Sequence, residues 1–210
     1  MDTYSVESSG IRINDNYING QFVPPKTGEY KDVTNPATNE VCARFAVSNA
    51  QDVQDAVDAA RRAFEDWSTW TVKRRASVLY KFHQLMEEHT EELKQLIIEE
   101  NGMFVVVIFI LFDLCGGCTS ELKLYAGKNS TEAAGDVAKG NESVEWGCSL
   151  PQTSQGKYLE VSRGVSCRDQ RDPVGVIGSV APFNFPAMVP LWNTPICLAA
   201  GNWYVCFHFA

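Results

Sequence analysis

The 210-residue sequence has no excess of basic residues. It carries 18 Lys and Arg against 26 Asp and Glu, which gives a formal net charge of −8 at pH 7. Nucleic-acid backbones and anionic membrane surfaces are bound through basic patches. The charge balance therefore argues against a nucleic acid or a membrane as the main partner.

A dense, even set of cysteines and an apolar leader are also missing. The seven cysteines are an odd number and are widely scattered, whereas small secreted proteins carry a dense, even set. The first ten residues are polar and include Asp2 and Glu7, which fits neither a signal peptide nor an Arg-rich transit peptide. We therefore expect an intracellular protein with reduced thiols.

The longest apolar run, Met103 to Phe112, is too short to cross a membrane, because a spanning helix needs about 20 apolar residues. Taken alone it predicts a buried strand. Cys115 and Cys118 follow it with the spacing of a redox pair or half a zinc site. Since no second such pair accompanies them, an incidental pair is favoured. His83 and His89 have no third ligand at metal-site spacing, so the sequence predicts no metal site.

Turn signals and alternating apolar residues indicate that residues 11–47 are β-rich. Asn19-Gly20 is typical of a type I′ hairpin turn, in which both central residues have positive φ. Apolar residues then alternate over 41–47, which predicts a strand. The N-terminal part is therefore expected to form a β-hairpin followed by a further strand.

Helical periodicity replaces this pattern up to residue 100. Apolar residues recur every three or four positions, which predicts amphipathic helices. Ser48 and Gln51 fit a capping box, which predicts the start of the first helix. A weaker helical stripe returns over 128–150.

The last forty residues predict a strand, a turn, a helix and a second strand. This order is typical of parallel strands buried on both faces. Asn184 then lies at the carboxyl edge of the first strand, where open α/β sheets bind ligands. No Gly-x-Gly-x-x-Gly occurs in the turn, so the usual dinucleotide fingerprint is absent. We expect Pro186 to open the helix, Pro195 to break or kink it and Gly201 to end it. The first strand is predicted over 174–180, the turn over 181–186 and the second strand over 203–209, with the helix running between Pro186 and Gly201.

Several motifs resemble the NAD-dependent aldehyde dehydrogenase superfamily, and within it the methylmalonate-semialdehyde dehydrogenase branch. The most specific are Val-Ala-Pro-Phe-Asn-Phe-Pro at 180–186, Ala-Met-Val-Pro-Leu-Trp at 187–192 and Ala-Ala-Gly-Asn at 199–202. Weaker matches are Tyr-Ile-Asn-Gly at 17–20, Asn-Pro-Ala-Thr at 35–38 and the predicted helix over 56–67. The resemblance extends over residues 17–102 and 128–202.

The resemblance implies an α/β fold: a partial Rossmann-like NAD-binding domain, preceded by a β-hairpin and helices. It also implies the oxidation of a small-molecule aldehyde with NAD as cofactor. A cysteine thiolate attacks the aldehyde, hydride passes to NAD, and water or coenzyme A resolves the thioester. Members of the family are homo-oligomers, and many are mitochondrial. Because no transit peptide is recognisable in this sequence, a cytoplasmic location is the alternative.

The resemblance also implies roles for four residues at the turn. Asn184 matches the asparagine whose amide stabilises the oxyanion, and a fixed donor of this kind lowers a barrier by about 3 kcal/mol. Ala181, Pro182 and Phe183 match the nicotinamide side of the NAD cleft. The alternative interpretation is that Asn184 only closes a turn and that its neighbours only pack it.

The sequence departs from the family in two segments. After Gly201-Asn202 the family continues to a Lys-Pro-Ser-Glu motif, and residues 203–210 stand in its place here. In the other segment, removing residues 103–127 joins Asn101-Gly102 to Lys128 and restores the family's Asn-Gly-Lys motif. We therefore expect residues 1–210 to be a truncated N-terminal and NAD-binding domain with two non-homologous segments, 103–127 and 203–210. Because the nucleophile and the general base belong to later sequence, this chain is expected to be inactive alone. The alternative is a non-catalytic fragment that associates with full-length subunits.

Overall fold

The computed structural model describes residues 5–6, 10–101, 106–109, 121–124 and 128–209. Their strands are β1 Ser5–Val6, β2 Arg12–Asn14, β3 Asn16–Ile18, β4 Gln21–Val23, β5 Tyr30–Thr34, β6 Val41–Ala46, β7 Val106–Phe109, β8 Glu121–Leu124, β9 Tyr158–Ser162, β10 Val165–Arg168, β11 Val176–Pro182 and β12 Trp203–Phe209. Their helices are α1 Ala50–Trp67, α2 Val72–Glu88, α3 Thr90–Asn101, α4 Ser130–Cys148, α5 Leu150–Thr153 and α6 Met188–Ala199. The predicted α/β class is confirmed.

The N-terminal strands form a sheet and a separate hairpin. The sheet has the order β1-β2-β6-β5, with β2 parallel and β5 antiparallel to β6. β3 and β4 pair as the predicted hairpin, joined by Asn19 and Gly20 with φ of 52° and 77°. Because a type I′ turn needs positive φ at both central positions, the hairpin prediction is confirmed.

The start of α1 corrects the sequence prediction by one residue. The side chain of Asn49, not Ser48, accepts hydrogen bonds from the backbone N–H groups of Gln51 and Asp52, at 2.8 and 3.1 Å. Asp52 Oδ2 in turn accepts from the Asn49 N–H at 2.9 Å and closes the capping box. Ser48 is used elsewhere, since its hydroxyl lies 2.7 Å from Asn16 Oδ1.

The hydrophobic core is built around α4, against which α2, α3 and α6 pack. Two glycines on α4 lie at its contact with α6. A Cβ atom at Gly147 would lie 2.9 Å from Pro195 Cβ, and one at Gly140 would lie 2.8 Å from Leu191 Cδ1. These positions therefore have no room for a side chain, and their glycines let the two helices approach closely.

The structure corrects two expectations about α6. The helix begins at Met188 with Ala187 as its N-cap, two residues later than a start at Pro186 would give. It also continues through Pro195, which is buried against Gly147. The packing of the two helices offsets the hydrogen bond that a proline cannot make.

The C-terminal end of α6 is held by one side chain from α1 and one from α2. The Trp67 indole N–H donates to Leu198 O at 2.9 Å, and Arg75 Nε donates to Ala199 O at 2.9 Å. Gly201 follows with φ of 97°, which confirms that it ends the helix. These bonds satisfy carbonyls that a helix terminus leaves without partners.

β11, α6 and β12 form the predicted unit with parallel strands, paired from Val176↔Trp203 to Pro182↔Phe209. The expectation that the first strand is buried on both faces is wrong. Val174, just before β11, is 87% exposed, and Val180 within it is 58% exposed. Among the strands that the structure describes, β11 pairs with β12 alone, so the sheet that they form has two strands.

The apolar region after α3 is described only in part. β7 and β8 pair antiparallel, which confirms a strand within the run that begins at Met103. Cys115 and Cys118 lie outside the described residues. Of the helices in the described ranges, none is both long enough and apolar enough for a membrane span.

Candidate functional site

The turn after β11 lies where the sequence places a ligand-binding edge. It occupies residues 183–187, between the carboxyl end of β11 and the first turn of α6. Asn184 is exposed in this turn. The turn is held to α6 by hydrogen bonds from Val189 N to Phe185 O and from Leu191 N to Ala187 O, at 3.2 and 3.4 Å.

A cavity of about 460 Å³ opens beside this turn. It lies between the N-terminal sheet, the end of α3 and the residues that follow β11. Asn184 and Phe183 form one wall, and the opposite walls come from strands β2, β5 and β6. The lining residues are Asn14, Asp32, Val33, Phe45, Glu100, Asn101, Phe183 and Asn184.

Glu100 is one of two acidic residues, the other being Asp32, among those that line the cavity. Burial raises the pKa of the Glu100 carboxyl, Arg12 opposes this shift and Glu99 adds to it. Arg12 is shared between both acids, 2.6 Å from Glu99 Oε2 and 3.2 Å from Glu100 Oε1. The carboxyl on the cavity wall is therefore more easily protonated than an ordinary glutamate.

The four residues that the sequence assigns to the site differ in their exposure and in whether they line the cavity. Phe183 is half-buried and lines the cavity together with Asn184. Ala181 is only 1% exposed, so its part in a cleft would be to fix the end of β11 and not to touch a ligand. Pro182 is exposed at the last position of β11.

Two residues that contact this turn and the start of α6 were not predicted from the sequence. Lys128 and Asp136 form a buried ion pair of 2.7 Å. Lys128 bonds the backbone of Asn184 and Asp136 bonds the backbone of Met188. A signal was present, because Asp136 lies on the apolar stripe of α4 beside Val137, where a charge requires a buried partner.

No thiol lines the cavity within the described part of the chain. Burial is the main cause that raises the pKa of Cys42, Cys148 and Cys206, and it raises the pKa of Cys197 to about 11. Because the thiolate is the nucleophilic form, these four cysteines are poor nucleophiles at neutral pH. The described ranges also contain no group of three His, Cys, Asp or Glu residues that could hold a metal ion.

The aldehyde dehydrogenase family model matches residues 22–106 and 118–206 of the chain. Among curated proteins, the chain is similar to the malonate-semialdehyde dehydrogenase of Bacillus subtilis subsp. natto, at 40% identity over 93% of this chain and 35% of that protein. It is also 36% identical to the malonate-semialdehyde dehydrogenase of Lacticaseibacillus casei, over 98% of this chain and 36% of that protein. The chain thus spans about a third of the length of these relatives.

Solved structures agree with this similarity. The methylmalonate-semialdehyde dehydrogenase DddC of Oceanimonas doudoroffii matches with a TM-score of 0.76 and 31% identity, over 91% of this chain and 34% of that chain. A protein of Sinorhizobium meliloti 1021 crystallised with NAD matches with a TM-score of 0.81 and 27% identity, over 96% of this chain and 36% of that chain.

Proposed function

The chain belongs to the aldehyde dehydrogenase family, and we propose that residues 181–184 form the nicotinamide end of its NAD site, with Asn184 as the donor to the oxyanion of an aldehyde undergoing oxidation. The described residues form part of the NAD-binding domain of that fold. The observation that carries the proposal is the position of Asn184, exposed beside a cavity at the carboxyl end of two parallel strands.

The residues at this edge fit the nicotinamide end of NAD. Phe183 offers an apolar surface of the kind that a planar ring contacts, and Asn184 offers a polar group beside it. The carboxyl end of parallel strands is also where open α/β folds bind such ligands. When NAD is bound at such a site, it supplies the acceptor for the hydride that leaves the substrate.

The Asn184 amide suits an oxyanion donor because it is neutral and carries two N–H bonds. It donates without gaining or losing a proton itself. A fixed donor directed at developing negative charge lowers a barrier by about 3 kcal/mol. The backbone of Asn184 is fixed through its carbonyl, which accepts from Lys128 Nζ at 2.7 Å, while its side chain stays exposed.

The substrate class that we propose is a short acyl semialdehyde. The relatives named above support malonate or methylmalonate semialdehyde, with an acyl-coenzyme A as the product where coenzyme A resolves the thioester. A mitochondrial or cytoplasmic location stays a prediction.

We expect residues 1–210 to bind the cofactor end without turning over substrate. The reaction needs a cysteine thiolate, and burial raises the pKa of four of the described cysteines, so they form a thiolate less readily than an exposed cysteine does. Purified chain incubated with NAD, coenzyme A and either semialdehyde should give no rise in NADH absorbance. A measurable rate would contradict this part of the proposal.

The binding experiment compares the two halves of the dinucleotide. In isothermal titrations, nicotinamide mononucleotide should bind with a Kd on the order of 1 mM, since only one end of NAD is held. Adenosine monophosphate should bind far more weakly. Phe183→Ser should abolish the difference, whereas Val174→Ser, at the exposed opposite end of β11, should preserve it. Equal binding of both nucleotides, or of neither, would refute the proposed site.

We also propose that residues 103–127 are an insertion at a helix junction. Lys128 N donates to Asn101 O at 2.8 Å, so the chain leaves and returns at nearly the same point. The family match supports an insertion here, although the residues that it leaves out, 107–117, are fewer. Deleting 103–127 should preserve the melting temperature and nucleotide binding, and a deletion variant that unfolds would exclude the idea. That residues 203–210 are non-homologous stays a prediction, and the family match extends to residue 206.

A second candidate role is a non-catalytic partner of full-length subunits. One observation favours it: both strands of the β9–β10 hairpin are exposed along their whole length, although Tyr158, Leu159 and Val161 are apolar. Apolar surface of this kind marks interaction sites. Sedimentation of a mixture with a full-length homologue should show a joint species that Leu159→Asp abolishes. Separate sedimentation would exclude this role.

A further inference from the structure

The buried ion pair next to the turn suggests a role beyond core packing. We propose that Lys128 and Asp136 are positioning residues that together clamp residues 184–188 and thereby fix the direction of the Asn184 side chain. This inference rests on the proposed function of Asn184, but the clamp itself can be measured separately.

Lys128 holds the first end of the turn. Its Nζ donates to Asp136 Oδ2 and to Asn184 O, both at 2.7 Å. The same ammonium group lies 4.0 Å from the centroid of the Phe185 ring, within the range of a cation–π contact. The orientation of the peptide group that follows Asn184 is therefore fixed from two sides.

Asp136 holds the other end of the turn. Its Oδ1 accepts the backbone N–H of Met188 at 2.7 Å, while Oδ2 accepts from Lys128. One carboxylate thus joins the lysine to the first residue of α6. Because a helix N-terminus favours a negative group, the carboxylate is well placed there.

The clamp is anchored on the helical core. The Lys128 side chain is 9% exposed and that of Asp136 is fully buried. Lys128 N bonds Asn101 O at the end of α3, and Asn129 caps α4 directly after it. The groups that fix the turn therefore cannot shift unless the α3–α4 junction shifts as well.

Stability alone does not account for this pair. A buried ion pair contributes little more than a well-packed apolar pair of the same volume, because both charges must lose water. Here the side-chain hydrogen bonds of the pair, beyond the bond between its two members, go to the backbone of Asn184 and of Met188, the two ends of the clamped segment. That placement is what a positioning role requires.

Hydrogen exchange followed by NMR tests the clamp. In Lys128→Met, the exchange rate of the Met188 amide should rise about tenfold more than that of the Val137 amide in the core of α4, and the Asn184 side-chain resonances should move. Lys139→Met, which removes an exposed ion pair from the same helix, should do neither. If the Met188 and Val137 rates rise by the same factor, the pair only stabilises the fold and the proposal is wrong.

A double variant guards against simple unfolding. Lys128→Met with Asp136→Leu contains no unpaired buried charge, so its melting temperature should return close to that of the parent chain. Its Asn184 resonances should stay displaced, and its affinity for nicotinamide mononucleotide should stay about tenfold lower. Parental Asn184 resonances in this variant would overturn the proposal. If the parent chain itself fails to bind the mononucleotide, the NAD site is refuted, whereas the exchange comparison still decides the clamp.

Discussion

The close contact between α4 and α6 gives a sharp prediction, because glycine to alanine usually stabilises a helix and should not do so here. In Gly147→Ala the new Cβ would lie 2.9 Å from Pro195 Cβ and 3.1 Å from Leu79 Cδ1. The proline ring cannot rotate away. Overpacking of this kind costs about 1–3 kcal/mol, against a gain in helix propensity of up to about 1 kcal/mol. The net effect should be a loss of about 1 kcal/mol in the free energy of unfolding.

Two other glycines of the same helix serve as controls. A Cβ at Gly135 meets no atom within 4 Å, so Gly135→Ala should raise the free energy of unfolding by about 0.5–1 kcal/mol. Gly140→Ala should fall between the two, since the atom it meets is the flexible end of Leu191. Urea denaturation followed by circular dichroism measures all three. Equal stability of Gly147→Ala and Gly135→Ala would refute the close approach of the helices.

Three further predictions concern other parts of the chain. Arg75→Leu should lower the free energy of unfolding by about 2 kcal/mol, because Ala199 O loses a buried donor; an unchanged urea midpoint would contradict this. Asn19→Val should cost about 1–2 kcal/mol and Asn19→Gly almost nothing, because φ is positive there; equal midpoints would exclude the type I′ turn. Burial raises the pKa of Cys197 to about 11, so iodoacetamide at pH 8 should modify exposed Cys167 first. Because the folded state binds the Cys197 proton more tightly than the unfolded chain does, the protonated thiol contributes to the free energy of unfolding. This contribution is complete below pH 9 and is lost as the pH rises through about 11. If iodoacetamide modified Cys197 before Cys167, the burial of Cys197 would be contradicted.

Local signals predicted a large part of the fold. The Asn19-Gly20 turn and the strand–helix–strand unit were both found, because positive φ and apolar periodicity depend on neighbouring residues alone. The position of Asn184 after the first parallel strand followed from the same unit. These features need no knowledge of distant contacts.

The errors arose where distant residues decide the local structure. The N-cap moved from Ser48 to Asn49, and the Ser48 hydroxyl bonds Asn16. α6 continues through Pro195 because Gly147 on another helix gives it room. A single sequence does not show these pairings.

The clamp on the turn was missed for the same reason. Lys128 and Asn184 are 56 positions apart, and nothing in the local pattern of either residue predicts their bond. Only the charge of Asp136 within an apolar stripe indicated that a buried partner was needed. A charged residue within the apolar stripe of a predicted helix is therefore a useful sequence signal for a residue that holds a site.

The side-chain resonances of Asn184 test the central claim most directly. In a chain labelled with ¹⁵N-asparagine, nicotinamide mononucleotide should shift the Asn184 amide peaks and adenosine monophosphate should not. Asn202 provides an internal reference, because its buried side chain bonds the backbone N–H groups of Val174 and Gly175 at the other end of β11. The predicted result is a shift of the Asn184 peaks while the Asn202 peaks stay in place. Unmoved Asn184 peaks at saturating mononucleotide, or equal shifts with both nucleotides, would contradict the account.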